Sequence, residues 1–312
     1  MDVVFCTDNN YLMPCGIAII SLLENNKNND VAVHVVGKEL TSESKKQIGD
    51  IVGKYQRATI QFYNITDEQL SKYNLPATAP HINVSTYIRL FLFDILPISI
   101  EKIIYLDCDL VVVNDLADMW NTNIDNYAIA GVVDSSERTE EAYLKSPYAD
   151  PMKSHTYVNA GVLLMNLKYW RENNTLDKLM TYVDENSALI KYADQDILNG
   201  ALPDAIYRLP GRYNIHLFFF WDRFKILELF RGYMDEGLKD PAIIHFTTAM
   251  KPWNKGCVHP LRDEFLKYKA LSPWKDQPIT WGNLSASKKR KYYKRLILSK
   301  LGFKKYRSLK PA

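Results

Sequence analysis

The chain has 312 residues, with 39 Lys and Arg against 36 Asp and Glu and a net charge of +3. Eleven of those bases and none of the acids lie in residues 287–312, so the first 286 residues carry 28 bases against 36 acids, a net of −8 ahead of a tail of +11. With 47% hydrophobic and 12% aromatic residues, disordered, collagen-like and low-complexity classes are excluded.

The longest uncharged apolar run near the N-terminus, residues 16–23, is too short to span a bilayer. The opening Met-Asp-Val-Val-Phe has no basic region and no small-residue cleavage site, so no secretory signal is expected. Cys6, Cys15, Cys108 and Cys257 form no closely spaced pair, which predicts reduced thiols in a cytosolic protein.

In chain order, residues 3–6 read as a short buried strand, and Asp8-Asn9-Asn10 as a turn before a helix over 13–24. Residues 31–36, Val-Ala-Val-His-Val-Val, predict a strand covered on both faces. Thr41-Ser42-Glu43 opens an amphipathic helix with Ile48, Ile51 and Val52 on one side. Further strands are expected at 59–63 and 102–106 with a helix over 86–92 between them, then strands at 127–133, 160–165 and 242–246 and helices over 168–186 and 194–200. Strands separated by helices imply a mainly parallel α/β sheet. Pro273 and Pro278, around Trp274 and Trp281, read as a linker ahead of the basic tail. We divide the chain into a body, 1–270, and a tail, 271–312.

The most informative segment is Ile103-Ile104-Tyr105-Leu106-Asp107-Cys108-Asp109-Leu110-Val111. On extended backbone the two carboxylates share a face, and the C-terminal edge of a parallel sheet opens into the crevice where α/β proteins bind ligands. Two anions in an apolar setting repel unless a cation lies between them, so a divalent metal is the expected partner. Strand-terminating turns are the structural reading of the same pair. Cys108 is expected to point away into the core. Two enzyme classes use such a pattern. One is a phosphohydrolase of the haloacid dehalogenase type, with the first Asp as nucleophile; the other is a glycosyltransferase whose metal neutralises a departing nucleoside diphosphate.

Six ordered blocks between Met1 and Trp253 resemble glycosyltransferase family 8, retaining enzymes that include lipopolysaccharide and lipooligosaccharide glucosyl- and galactosyltransferases. The blocks are Val-Phe-Cys-Thr-Asp8-Asn9-Asn10-Tyr11, the stretch from His81 to Leu90 that contains Arg89, Asp107-Cys108-Asp109, Tyr157-Val158-Asn159-Ala160-Gly161, Asp194-Gln195-Asp196, and His245 with Lys251-Pro252-Trp253. The resemblance implies a GT-A, Rossmann-like nucleotide-sugar-binding fold in a single domain. It implies that Asp8, Asn10 and Tyr11 bind the uridine, and that Asp107, Asp109 and His245 hold the metal. Two carboxylates and an imidazole favour Mn²⁺, with Mg²⁺ as the alternative.

Lys251 and His81 are then expected to meet the diphosphate, and Arg89, Asn159, Ala160 and Gly161 the donor. Arg89 lies in an apolar stretch and must be paired: it either holds a carboxylate structurally or fixes the donor sugar, and the resemblance favours the donor. Asp194-Gln195-Asp196 begins a helix, so one carboxylate is expected to cap it. By resemblance Asp194 meets the sugar hydroxyls and Gln195 sits beneath the anomeric carbon. Glutamine is a poor nucleophile, which favours front-face substitution; Asp134 and Asp194 stand as candidates for nucleophile or acceptor contact.

Two departures from the family pattern are visible. Thr247-Thr248 stands where close relatives have a glycine after the metal histidine, and the aromatic run 217–224 reads as buried packing, with an acceptor-facing platform as the alternative. The expected reaction is transfer of galactose or glucose from a UDP-sugar to a saccharide, lipid-linked in the favoured case. A non-catalytic nucleotide-sugar-binding protein is the third reading. The tail, whose bases alternate with Tyr292, Tyr293, Leu296, Ile297, Leu298 and Leu301, is expected to bind an anionic membrane surface on the inner face of the cytoplasmic membrane. No nucleic-acid partner is expected.

Overall fold

A computed structural model describes residues 1–66, 68, 84–134, 157–220, 228–282 and 284–301. The first βαβ units follow their sequence patterns closely. β1 (Asp2–Thr7) leads to α1 (Leu12–Asn25), then β2 (Val31–Lys38), α2 (Ser42–Val52) and β3 (Ala58–Ile65). Asp8 and Thr41 start the helical turns as their side chains predict: Asp8 Oδ1 accepts from the N–H groups of Asn10 and Tyr11 at 2.8 and 2.9 Å, and Thr41 Oγ1 from that of Ser44 at 3.1 Å. Next come a 3₁₀ segment (Val84–Phe91) running into α3 (Leu92–Ile95), β4 (Lys102–Leu106), β5 (Leu110–Val112), α4 (Ala117–Trp120) and β6 (Ile129–Val133). The helix expected over 86–92 is thus mostly 3₁₀.

β7 (Val158–Asn166) precedes α5 (Leu167–Glu172), α6 (Thr175–Asn186), α7 (Asp194–Ala201) and β8 (Ile206–Arg208). The single helix expected over 168–186 is two, because Asn174 enters the left-handed region at φ 49° and turns the chain between α5 and α6. α8 (Glu228–Lys239), β9 (Ile243–His245), α9 (Arg262–Ala270) and α10 (Ala286–Lys300) complete the described elements. Among these, β8, α8, α9 and α10 lie where no element is expected from the pattern of residues.

Seven strands form one sheet in the order β3-β2-β1-β4-β7-β6-β8. Every neighbour pair is parallel except those of β7, which runs antiparallel to both β4 and β6. The start of β7 therefore lies at the same edge as the C-terminal ends of β1, β4 and β6. Both faces are covered. Val3, Phe5, Ile104, Leu106, Val162 and Leu164 pack on one side with α1 and α2. Val4, Ile103, Tyr105, Leu163 and Met165 pack on the other with α5, α6 and α7. That period of two is the strand geometry, and apolarity on both faces is what gives continuous apolar runs.

The segment after α9 lies against the body. A methyl group at Gly16 of α1 would fall 2.4 Å from the Trp274 ring, so the absence of a side chain there makes the socket for that indole. Buried Lys269 donates to the carbonyls of Trp274, Lys275 and Gln277 at 2.7, 3.0 and 2.8 Å, which fixes the turn that delivers Trp274. No helix of the described residues is long and apolar enough to cross a membrane.

Candidate active site

Backbone pairing assembles the site. β5 and β9 pair antiparallel with Leu110 opposite His245, and the Phe246 N–H donates to the Asp109 carbonyl at 2.9 Å. Residues 136 positions apart are thereby brought to contact. The Asp107 N–H donates to the Gly161 carbonyl at 2.8 Å, which joins the turn after β4 to the start of β7. A methyl at Gly161 would lie 2.2 Å from His245 Cε1 and 2.6 Å from Asp107 Oδ2, so only glycine leaves room for their approach.

Charges converge here. His245 Nε2 lies 3.1 Å from Asp109 Oδ1 and 3.7 Å from Asp107 Oδ2. Asp107 Oδ1 accepts from the Tyr105 hydroxyl at 2.7 Å and pairs with Arg89 Nη2 at 3.0 Å. Arg89 Nε is 2.9 Å from Asp194 Oδ2, its Nη1 donates to the Ala160 carbonyl, and its guanidinium stacks 4.5 Å over the Tyr105 ring. The partners that a buried arginine requires are therefore Asp107 and Asp194. Lys251 Nζ bonds Asp109 Oδ2 and, at 2.9 Å, the Phe246 carbonyl. Burial alone would raise Asp109, but Lys251 and His245 overrule it and hold this carboxyl well below the usual range. Burial pushes Asp194 up to about 6, with Arg89 opposing and Asp107 reinforcing.

A chain of amides runs alongside these charges, and its donor–acceptor sense is determined by groups that can act in one way only. The Gly161 N–H donates to Asn159 Oδ1 at 3.0 Å, so the Asn214 atom facing that oxygen at 2.9 Å is Nδ2. Asn214 Oδ1 then faces His245 Nδ1 at 3.0 Å, and that nitrogen carries the proton. His245 Nε2 is the ring nitrogen turned toward the two carboxylates. At the other end the Ala160 N–H donates to Gln195 Oε1 at 3.1 Å, as does Asn159 Nδ2 at 3.1 Å. Gln195 Nε2 faces Asp134 Oδ2 and the Tyr157 hydroxyl, both at 3.2 Å. Asp134 Oδ2 also accepts from Asn159 Nδ2 at 3.0 Å.

Three such groups meeting in this way make a candidate cation site. One donor atom from each of Asp107, Asp109 and His245 lies within 4.8 Å of the others. The residues present fit a divalent metal: with Nδ1 engaged by Asn214, Nε2 is the nitrogen presented for ligation, and Gly161 keeps the space open.

The model of glycosyl transferase family 8 matches residues 2–257. The chain belongs to this family. General stress protein A of Bacillus subtilis (strain 168) is 29% identical over 279 residues, 88% of this chain and 94% of that protein. The lipopolysaccharide 1,2-glucosyltransferase of Escherichia coli (strain K12) is 28% identical over 299 residues, 96% of this chain and 86% of that one. A solved structure of the galactosyltransferase LgtC with donor and acceptor sugar analogs superposes with a TM-score of 0.76 at 23% identity, covering 88% of this chain and 99% of that one; it shows the fold, a GT-A-type α/β domain. Family membership makes this protein a glycosyltransferase and removes the phosphohydrolase and non-catalytic alternatives.

Within this family-8 chain, Arg89, Asp107, Asp109, Asn159, Asp194 and Gln195 border one cavity of about 300 Å³, with Ala160, Gly161 and His245 on the same wall. Asp134 joins through Gln195. Tyr11 stands edge-on to Trp253, with ring centroids 5.6 Å apart, so the first and last motif blocks meet. Asp8 caps the turn that carries Tyr11, and Asn10 is exposed beside it. His81 lies outside the described residues.

One local expectation is corrected. Neither Asp194 nor Asp196 caps α7: its N-cap is Ala193, Asp194 is turned to Arg89, and Asp196 bonds backbone before the helix. Of the aromatic run, Phe219 and Phe220 are fully buried, against His216 and His259, and so belong to the core. Cys108 is buried with its thiol donating to the Cys6 carbonyl at 3.3 Å. Thr248 closes the loop after His245 by donating to the Met250 carbonyl at 3.2 Å.

Asn214 is a supporting residue that motif reading misses, and Tyr157 and Asn199 are supporting residues to which it gives no role. Asn199 ties β7 to α7, with Oδ1 accepting from the Val158 N–H at 2.7 Å and Nδ2 donating to the Val158 and Gln195 carbonyls at 2.9 and 2.8 Å. The one available signal was polarity in an apolar setting, as in Tyr213-Asn214-Ile215.

Proposed function

We propose that this glycosyltransferase moves a hexose, galactose or glucose, from a UDP-sugar to a saccharide acceptor with retention of configuration. The observation that carries the reading is the convergence of Asp107, Asp109 and His245 in the cavity that Asp194 and Gln195 also line. When bound, a divalent cation, Mn²⁺ or Mg²⁺, neutralises charge on the departing diphosphate.

The chain's own groups supply the rest. Asp8, Asn10 and Tyr11 hold the uridine, and Lys251, released from Asp109 by the incoming anion, contributes its ammonium to the diphosphate. His81 is assigned to the same group. Arg89 holds Asp194 toward the sugar hydroxyls, and Asn159, Ala160 and Gly161 line the approach. Gln195 is held by hydrogen bonds on both ends of its amide, which suits a group that orients and stabilises rather than attacks. The C1–O bond to UDP breaks as the bond to the acceptor oxygen forms on the same face, and the acceptor proton passes to the diphosphate oxygen. Asp134, bonded to both Asn159 and Gln195, stands where it can meet the acceptor.

Turnover of a panel of UDP-sugars with Mn²⁺ and with EDTA tests donor and metal together. Metal-dependent UDP release from UDP-galactose or UDP-glucose is the expected result. Equal release in EDTA, or none from any UDP-sugar, overturns the reading.

The lipopolysaccharide glucosyltransferase among the relatives supports a lipid-linked acceptor and a site of action on the inner face of the cytoplasmic membrane. The tail supports it too. Tyr293 and Ile297 of α10 and Leu301 just after it are exposed at four-residue spacing, with Arg290 and Lys294 flanking them, as in a helix that lies on an anionic surface. Residues 1–270 are then the transferase body and 271–312 its membrane-binding extension. Tyr293→Ser with Ile297→Ser should abolish binding to phosphatidylglycerol vesicles and leave turnover of a soluble acceptor intact; undiminished vesicle binding would refute the anchor.

A further inference from the structure

The turn that introduces α7 holds one of three non-glycine residues with positive φ among the described residues, with Glu39 and Asn174 the others. Ala193 has φ 49° and ψ −124°, a region that L-residues with a side chain rarely adopt and glycine adopts freely. No glycine is present, yet the two residues that follow are Asp194 and Gln195. Three hydrogen bonds to one carboxylate hold the turn. Asp196, itself buried, accepts from the Lys191 N–H at 2.6 Å and the Tyr192 N–H at 2.7 Å through Oδ2, and from the Tyr157 hydroxyl at 2.6 Å through Oδ1. The same Tyr157 hydroxyl faces Gln195 Nε2 at 3.2 Å. One carboxylate thus grips both peptide N–H groups before the strained residue and, through one hydroxyl, the amide after it.

We infer that Asp196 is a positioning residue: it clamps a strained turn at Ala193 and so aims Asp194 at Arg89 and the Gln195 amide at Ala160. The strain is the reason a clamp is needed, since without it an alanine at this place relaxes and carries Asp194 and Gln195 with it. A residue that acts by holding strain has a signature that one acting chemically lacks: removing the strain replaces it. The kinetic side of this inference rests on the transferase reading above, and the stability side does not.

The test is a double-mutant cycle in the full chain with Ala193→Gly, Asp196→Asn and the pair. Ala193→Gly should keep or raise Tm, because glycine adopts the turn without strain. Asp196→Asn should lower Tm, and the pair should recover at least about half of that loss, a coupling expected only of sites that share one strained element. In Mn²⁺-dependent UDP release from UDP-galactose and UDP-glucose, Asp196→Asn should lower kcat about 100-fold with KM within about threefold, and the pair should regain about tenfold in kcat. A folded pair as slow as Asp196→Asn alone, or an Ala193→Gly chain that loses Tm, overturns the inference. If Asp196→Asn does not fold, the Tm of Ala193→Gly decides. If the parent releases UDP from neither sugar, the transferase reading fails and the Tm cycle still decides this one.

Discussion

The two halves of the site use different chemistry. Around His245 the contacts are between formal charges: Arg89, Asp107, Asp109, Asp194 and Lys251 meet within one small volume. Around Gln195 they are made by amides, hydroxyls and peptide groups, in a chain from Asn214 through Asn159 to Tyr157 that ends on the Asp134 and Asp196 carboxylates. Charges attract from any direction, so the first half decides what is held. An amide has one donor end and one acceptor end, so the second half decides how things point. The two halves join at Asn214, which fixes the His245 proton on Nδ1.

Three measurements separate these roles. The largest effect is expected at Asp109, whose removal strands both His245 and Lys251: Asp109→Ala should cost on the order of 10³-fold or more in metal-dependent UDP release. Gln195→Ala should cost about 10²–10³-fold in kcat while UDP affinity by calorimetry stays unchanged; full activity sinks the amide half. Asn214→Leu, which removes no charge, should weaken Mn²⁺ binding about 10–100-fold, read by calorimetry without donor. Unchanged affinity would show that the two halves are not joined there.

His259 offers the smallest effect, from outside both halves. Burial, with His216 and His245 adding to it, lowers this imidazole from 6.5 to about 3. The unfolded chain therefore binds more protons, and the stability tied to a neutral His259 is present above pH 6.5 and is lost as pH falls toward 3. Between about pH 7 and 5.5 the loss should be about 1 kcal/mol. A Tm series should show that slope, and His259→Phe, packed like its Phe220 and Phe246 neighbours, should remove its share.

Legibility in the residue string follows the same divide. Strands at 31–36 and 102–106 stood out because burial on both faces demands unbroken β-branched runs. The Asp107 and Asp109 pair stood out because charge beside apolar sequence is costly. The direction of β7 did not, since an apolar run is the same read either way. Asn214 was hidden as a lone amide in irregular chain, and the Ala193 turn because alanine carries no sign of a left-handed backbone. The break between α5 and α6 was marked by Asn173-Asn174 and still overridden by the helical spacing around it. The 3-residue strand β8 was too short for any periodicity to register.

The socket at Gly16 has a consequence for how the protein is made. The indole that fills it arrives 258 residues later along the chain, held in place by the Lys269 ammonium. During synthesis the first helix therefore leaves the ribosome with an open apolar notch that nothing nearby can close. The molecule's two ends mature together, and a shortened gene product that stops at residue 270 would carry that notch permanently, as a place for chaperones or other unfolded chains to hold.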